Sequence, residues 1–157
     1  MGDRRMSNAR YNLFPSKPAF RAGISTSSSW DTSSPYNSTT DVIFDQVYVN
    51  RGSDYSSTTG RFTVSIAGTY CFHMSVLLTT GQSSVNGGIY FAVNGSKADG
   101  PVLYTAYAGG FMWLSASSVL DLSENDYVTI QNYGGLPWHL NPPNSNEHNG
   151  FSGYLVS

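Results

Sequence analysis

The stretch from Val42 to Met74 most constrains the fold, because three alternating apolar runs in it are separated by two clusters of turn residues. "VIFDQVYV" places Phe44 and every second neighbour on one face, "RFTVSI" does the same for Phe62, and "GTYCFHMSVLL" for Tyr70 and Phe72. A period of two residues is that of a strand with one buried face, whereas a helix needs apolar residues three and four apart. The stretch therefore predicts β-strands with a buried aromatic face.

The rest of the chain repeats this pattern and shows no window of helical periodicity. "GGIYFAV" and "SKADGPVLYTAYA" flank Asn94-Gly95, a dipeptide that suits a tight hairpin turn because both residues tolerate positive φ. Further strands are predicted for "SSVLDL", "DYVTIQNY" and "GFSGYLVS". About eight to ten short antiparallel strands at a spacing of roughly 8–12 residues are typical of an all-β sandwich or barrel.

Composition excludes several classes of protein. Aromatic residues make up 14% of the chain and charged residues 11%, which favours a buried core over disorder. From residue 22 onward three basic residues face nine acidic ones, a net charge of −6 that disfavours nucleic-acid binding. No apolar stretch reaches about 18 residues, so membrane insertion is not predicted. The single cysteine, Cys71, excludes an intrachain disulfide and is interpreted as a small buried side chain.

Two loops rich in turn residues, 25–40 and 134–150, carry aromatic side chains that suit recognition of a ligand. Aromatic faces stack on sugars, and amide and carboxylate groups bond to sugar hydroxyls. The second loop also holds Glu147 and His148, so a metal site or an acid–base pair with its other histidine is an alternative. No nucleophile motif accompanies them, and the chain is not predicted to be an enzyme. The candidate ligand-binding residues are Trp30, Tyr36, Trp138 and His139.

The aromatic spacing resembles that of the C1q-type globular heads within the tumour-necrosis-factor-like jelly-roll family. The residues in register are Phe44, Asn50, Tyr55, Phe62, Gly68, Tyr70 and Phe72, with Met74 in place of a further aromatic. The resemblance covers residues 19–157 and leaves residues 1–18 as an extended N-terminal arm. It implies a two-sheet jelly-roll sandwich in which the signature residues build the core rather than a site.

The resemblance also implies a homotrimer with apolar side chains packed between subunits. The candidate interface is the segment "YTAYAGGFMWL", and ordinary core is the alternative for its side chains. Some members of the family bind calcium through acidic loop residues. Asp121, Glu124 and Asp126 are dense enough to suggest such a site, but no motif maps the family's calcium positions onto this sequence, and the metal is left unknown. No other cofactor is predicted. The candidate interface residues are Tyr104, Tyr107, Phe111 and Trp113.

The function predicted first is a non-enzymatic structural and recognition module displayed on a virion, either as a phage capsid decoration or as a fibre knob. Arg4, Arg5 and Arg10 of the arm would anchor it to other virion proteins, and the loops would bind host surface glycans or proteins. A short basic arm that is merely solvated is the alternative. The N-terminus lacks the apolar stretch of a secretory signal. The alternative function is a secreted, complement-like pattern-recognition or signalling head.

Overall fold

The computed structural model of the chain describes residues 17–25, 41–80, 85–98, 103–107, 110–133, 139–140 and 149–157, and the statements below concern these residues. All regular structure within them is β. No helix in these ranges is long and apolar enough to cross a membrane. The strands are β1 (Ala19–Gly23), β2 (Gln46–Arg51), β3 (Tyr55–Ser56), β4 (Arg61–Thr63), β5 (Gly68–Thr80), β6 (Val85–Val93), β7 (Ser96–Lys97), β8 (Leu103–Tyr107), β9 (Gly110–Leu122), β10 (Tyr127–Tyr133), β11 (His139–Leu140) and β12 (Gly150–Leu155).

The first sheet has the order β2-β1-β12-β5-β9, and β11 pairs with β5 beyond the end of β12. Strand β9 pairs with β5 over all 13 residues, from Gly68 opposite Leu122 to Thr80 opposite Gly110. The second sheet has the order β3-β4-β10-β6-β7, and β8 also pairs with β6. Every pair is antiparallel, and the two sheets form a jelly-roll sandwich, as predicted. The count of twelve exceeds the predicted eight to ten because β3, β7 and β11 have two residues each.

Aromatic rings fill the space between the sheets. The ring of Phe72 on β5 lies 5.6 Å from that of Phe62 on β4 and 6.4 Å from that of Phe91 on β6, so it joins the two sheets. Phe20 stacks on Tyr55 with ring centroids 4.7 Å apart. Ring pairs at these distances add about 0.5–1.5 kcal/mol each beyond the burial of their area. The prediction that the aromatic signature builds the core is confirmed, since its rings are buried: Phe44, Tyr55, Phe62, Tyr70 and Phe72. Phe91 and Phe151 add two further inaccessible rings.

Asn50 braces the segment between β2 and β3. Its Nδ2 donates to the Tyr55 carbonyl at 2.9 Å, and its Oδ1 accepts from the Tyr55 N–H at 3.1 Å. The Tyr55 hydroxyl in turn donates to the buried Phe44 carbonyl at 2.9 Å, and burial raises the pKa of this phenol. Asn50 thus satisfies both main-chain groups of Tyr55. In the following turn the main-chain N–H of Thr59 donates to Oγ of Ser56.

The alternation predicted from Val42 to Val49 is wrong at Tyr48. Val42 and Phe44 are buried, but Tyr48 is 42% exposed. The phase changes between Phe44 and Val47, because Val47 packs against the core and its neighbour Tyr48 points the other way. Tyr48 is also the extra residue of a bulge, since Val47 pairs with Ala22 and Val49 with Arg21.

Candidate interaction surface

The outer face of the first sheet presents side chains to solvent from three adjacent strands. Along β5, Tyr70, Phe72 and Met74 point into the core, whereas the residues between them are half-buried or exposed. On β9 the odd-numbered residues from Trp113 to Asp121 are all exposed. The strand period alone puts these side chains on one surface, which we call the outer face.

An apolar row crosses the outer face. Val119 on β9 pairs with Cys71 on β5, and Cys71 pairs with Tyr154 on β12. Val119 is 65% exposed and Tyr154 is 54% exposed, while the thiol side chain between them is partly covered. Adjacent strands lie about 4.8 Å apart, so the three side chains form a continuous strip. Trp113, 54% exposed, adds a large ring further along β9.

A polar row runs beside the apolar one. Ser117, His73, Ser152 and Arg21 pair in turn across β9, β5, β12 and β1. Nδ1 of His73 and Oγ of Ser117 are 3.0 Å apart and share a hydrogen bond. The Arg21 guanidinium lies 4.9 Å above the ring of the bulged Tyr48. The outer face therefore combines an apolar strip with hydroxyl, imidazole and guanidinium groups.

The His73–Ser117 pair does not have the surroundings of a nucleophilic site. A catalytic serine and histidine need a third group that orients the imidazole, usually a carboxylate. Within the described residues, Asp121 provides a carboxylate on this face. It accepts a hydrogen bond from the Thr69 hydroxyl at 2.6 Å. Thr69 is four residues from His73 along β5, a separation of about 13 Å. The arrangement suits contact with another surface rather than acyl transfer.

Strand β9 is an edge of the first sheet. It bonds to β5 along one side, and no strand of the described ranges pairs with its other side. A long edge with exposed apolar side chains is normally covered in natural proteins, because it pairs readily with other chains. The edge and the apolar row form one continuous candidate for contact with a partner.

The three acidic residues considered for calcium do not come together as a metal site in the described part of the chain. Asp126 accepts from Asn94 Nδ2 and from the Ser123 N–H, each at 2.8 Å, and these bonds hold the pKa of its carboxyl below the usual value. Asp121 is bonded to Thr69, as above, and Glu124 is exposed in the turn before β10. Asp126 thus fixes the turn between β9 and β10, and Asp121 ties the ends of β5 and β9.

Most of the predicted site residues lie outside the described residues or only partly within them. The predicted ligand loops and anchoring arm fall largely outside them, and only the main chain of His139, opposite Thr79, is described. Of the predicted interface residues, β8 carries Tyr104 and Tyr107 and β9 carries Phe111 and Trp113, of which Trp113 alone has a described side chain. The residues outside the described ranges are Trp30, Tyr36, Trp138, Arg4, Arg5 and Arg10.

Sequence reasoning missed Val119 and Tyr154 as surface candidates. Their signal is the alternation itself, because each is the out-of-phase residue of a strand whose in-phase residues form the core. Val119 is an apolar side chain at a position where the alternation of the strand predicts a polar one. Such a side chain marks a surface that is normally covered by a partner.

The architecture is the two-sheet jelly roll that C1q-type and tumour-necrosis-factor-like domains share. The C1q domain profile matches residues 19–156, and the chain therefore belongs to the C1q domain family. It is 33% identical over 122 residues to the collagen alpha-1(X) chain of Mus musculus, an alignment that covers 74% of this chain and 16% of that one. The chain thus spans about a sixth of the length of this curated relative.

Solved structures agree with this fold. The globular domain of zebrafish complement 1qA superposes with a TM-score of 0.62 at 21% identity, covering 90% of this chain and 98% of that one. Murine APRIL at pH 5.0 superposes with a TM-score of 0.58 at 13% identity, covering 89% and 99%. At these identities the likeness shows the fold alone.

Proposed function

We propose that the domain is a non-enzymatic recognition head that associates with two further copies of itself through the outer face of the first sheet. The observation that carries this proposal is the exposed apolar row of Val119, Cys71 and Tyr154, beside the edge of β9 with which no strand of the described ranges pairs. Domains of the C1q and tumour-necrosis-factor families typically assemble as trimers, which favours a second copy as the cover. Tyr104, Tyr107 and Phe111 are proposed to extend the same interface from β8 and the start of β9, beside Trp113.

The native mass of the purified chain tests the proposal. We expect a trimer by sedimentation equilibrium, and we expect Val119→Glu to produce monomers, because a carboxylate would be buried without a partner. The matched control is Ser96→Glu, an exposed change on β7 of the other sheet, which should leave the trimer intact. A monomeric parent chain, or a trimer that tolerates Val119→Glu, would contradict the proposal.

The relatives favour an extracellular head as the context of this domain. The similar proteins described above include a collagen chain and a complement protein. We propose that the head likewise presents its loops to a ligand at a cell or matrix surface, with Trp30, Tyr36, Trp138 and His139 as the contacts. Glycan-array binding of the trimer tests this, and Trp138→Ala should abolish it while leaving the native mass unchanged. Glycan binding that survives both Trp138→Ala and Trp30→Ala would contradict ligand binding by these loops.

Display on a virion is the second candidate, and the basic arm is the observation that favours it. Five of the eight basic residues lie within the first 21 positions, with one acid among them. We propose that Arg4, Arg5 and Arg10 hold the head on an acidic particle surface, as a capsid decoration or a fibre knob. Replacing the three arginines with glutamine should prevent incorporation into particles without changing the trimer. Unchanged incorporation would refute anchoring by the arm.

A further inference from the structure

His73 lies near the middle of the outer face, with small polar side chains around it. On its own strand Cys71 and Ser75 flank it, and on β9 its partner Ser117 has Ser115 and Val119 as neighbours. On β12 it pairs with Ser152, and the next residue of β12 on the same face is Tyr154. The imidazole is exposed in the single chain and makes the hydrogen bond to Ser117 described above.

The charged groups that share this surface do not include a nearby carboxylate. Arg21, beyond Ser152, lies two strands away, about 10 Å, and carries a positive charge. Asp121 lies about 13 Å along the sheet and is bonded to Thr69. The other titratable groups on this face, the Cys71 thiol and the Tyr154 phenol, are neutral when protonated. A positive charge on His73 would therefore meet one cation and no close anion among the described residues.

We propose that His73 makes self-association of the outer face sensitive to acid, so that the trimer forms near neutral pH and dissociates as the imidazole gains a proton. This inference rests on the proposed self-association through that face. A neutral imidazole has one donor and one acceptor nitrogen, and it is cheap to bury between hydroxyl groups. An imidazolium has two donors and a charge whose desolvation is costly without a carboxylate. Acidification that protonates the imidazole therefore favours the separated chains, in which water solvates the charge.

Symmetry strengthens the effect, because a closed trimer contains three copies of the group and protonation acts on each of them. The polar row also determines how a second copy can lie on the apolar strip. A copy that buries the strip must provide hydrogen-bond partners for the Ser117 and Ser152 hydroxyls. His73 thus forms hydrogen bonds in the interface at neutral pH, and its protonation separates the chains in acid.

The experiment is sedimentation equilibrium of the full chain at pH 7.5 and pH 5.0 in the same salt. We expect the apparent dissociation constant of the trimer to rise by at least about tenfold at pH 5.0, because burial of the protonated imidazoles without a carboxylate partner is costly. His73→Gln keeps a hydrogen-bonding side chain that does not titrate, and its trimer should change by less than about twofold over the same range. Ser96→Gln, an exposed change on β7 of the other sheet that leaves His73 in place, is the matched control and should retain the full response.

The outcomes separate the two proposals. A parent chain that is monomeric at pH 7.5 contradicts self-association itself. A parent trimer that is equally stable at both pH values, or a His73→Gln trimer that dissociates in acid as readily as the parent, overturns the role of His73 alone. Circular dichroism at pH 5.0 confirms that the separated chains remain folded, and loss of the β signal at that pH would also overturn the inference.

Discussion

Gly153 lies where two aromatic rings leave no room for a side chain. A Cβ at this position would meet Cδ1 of Phe72 and lie 2.6 Å from its Cε1 and 2.9 Å from Cε1 of Phe20. These rings belong to the packed core and have few alternative positions, because both are nearly inaccessible to solvent. The absence of a side chain at residue 153 therefore permits β12 to lie directly on the ring cluster.

We predict that Gly153→Ala lowers the free energy of unfolding by about 1–3 kcal/mol through overpacking. Gly150→Ala in the same strand is the control, because its nearest neighbour would be the Ala22 carbonyl oxygen at 3.7 Å, an ordinary contact. Urea denaturation of the two variants measures the difference. Equal midpoints for Gly153→Ala and the parent chain would show that the rings move aside without cost.

At the scale of elements, the hairpin between β6 and β7 depends on one asparagine. Asn94 and Gly95 have φ values of 52° and 78°, as expected for a two-residue turn with positive φ at both positions. The Asn94 side chain also accepts from the Tyr127 N–H at 3.0 Å and donates to Asp126, so it joins the hairpin to the start of β10.

Two substitutions at Asn94 separate the turn conformation from the side-chain bonds. Asn94→Gly loses both bonds but keeps the freedom to adopt positive φ, whereas Asn94→Ala loses the bonds and strains the backbone as well. We predict that Asn94→Ala is less stable than Asn94→Gly by roughly 1 kcal/mol. Thermal unfolding followed by circular dichroism provides the comparison, and an alanine variant that matches the glycine variant would refute a conformational cost.

The strands follow from the sequence wherever local pattern and tertiary packing agree. Phe62, Tyr70 and Phe72 are in phase with their neighbours, and their burial is predictable from alternation alone. The exposure of Tyr48 is not predictable in this way, because it depends on the pairing of β2 with β1, which joins residues distant in sequence. Leu77 has the phase of the outer face yet is only 6% exposed, and its N–H donates to the Asn149 side chain from a distant part of the chain.

The candidate surface was less predictable than the fold for the same reason. Val119, Cys71 and Tyr154 come from three strands, and only the register of β9, β5 and β12 makes them neighbours. Trp113 was chosen as an interface candidate because it lies in one segment rich in large rings, and its place in an interface stays a prediction. The contiguity of the apolar row, by contrast, requires the sheet.

For the molecule as a whole, the buried Tyr55 phenol links stability to alkaline pH. Its pKa is raised by burial in the folded chain, so above about pH 10 the unfolded chain releases this proton while the folded chain retains it. Proton release from the unfolded state favours unfolding, and stability therefore falls as pH rises from about 10 towards the folded pKa. The slope for one such group is about 1.4 kcal/mol per pH unit.

We predict that Tyr55→Phe is less stable than the parent at pH 7 by about 1 kcal/mol, because the Phe44 carbonyl loses its donor. The same variant should lose stability less steeply between pH 10 and 11.5. Urea titrations at pH 7, 10 and 11.5 measure both effects, with Tyr154→Phe on the exposed face as the control. A variant with the parent's slope above pH 10 would exclude Tyr55 as the linked group.

The central place of β12 in the first sheet bears on how this domain is made. Strand β1, near residue 20, has β12, near residue 150, as its partner on one side, and β5 also borders β12. A ribosome must therefore translate some 130 further codons before the earliest strand can be enclosed. During that interval nascent chains on neighbouring ribosomes expose the same incomplete sheet, and we expect holdase chaperones to govern the yield of this domain more than its final stability does.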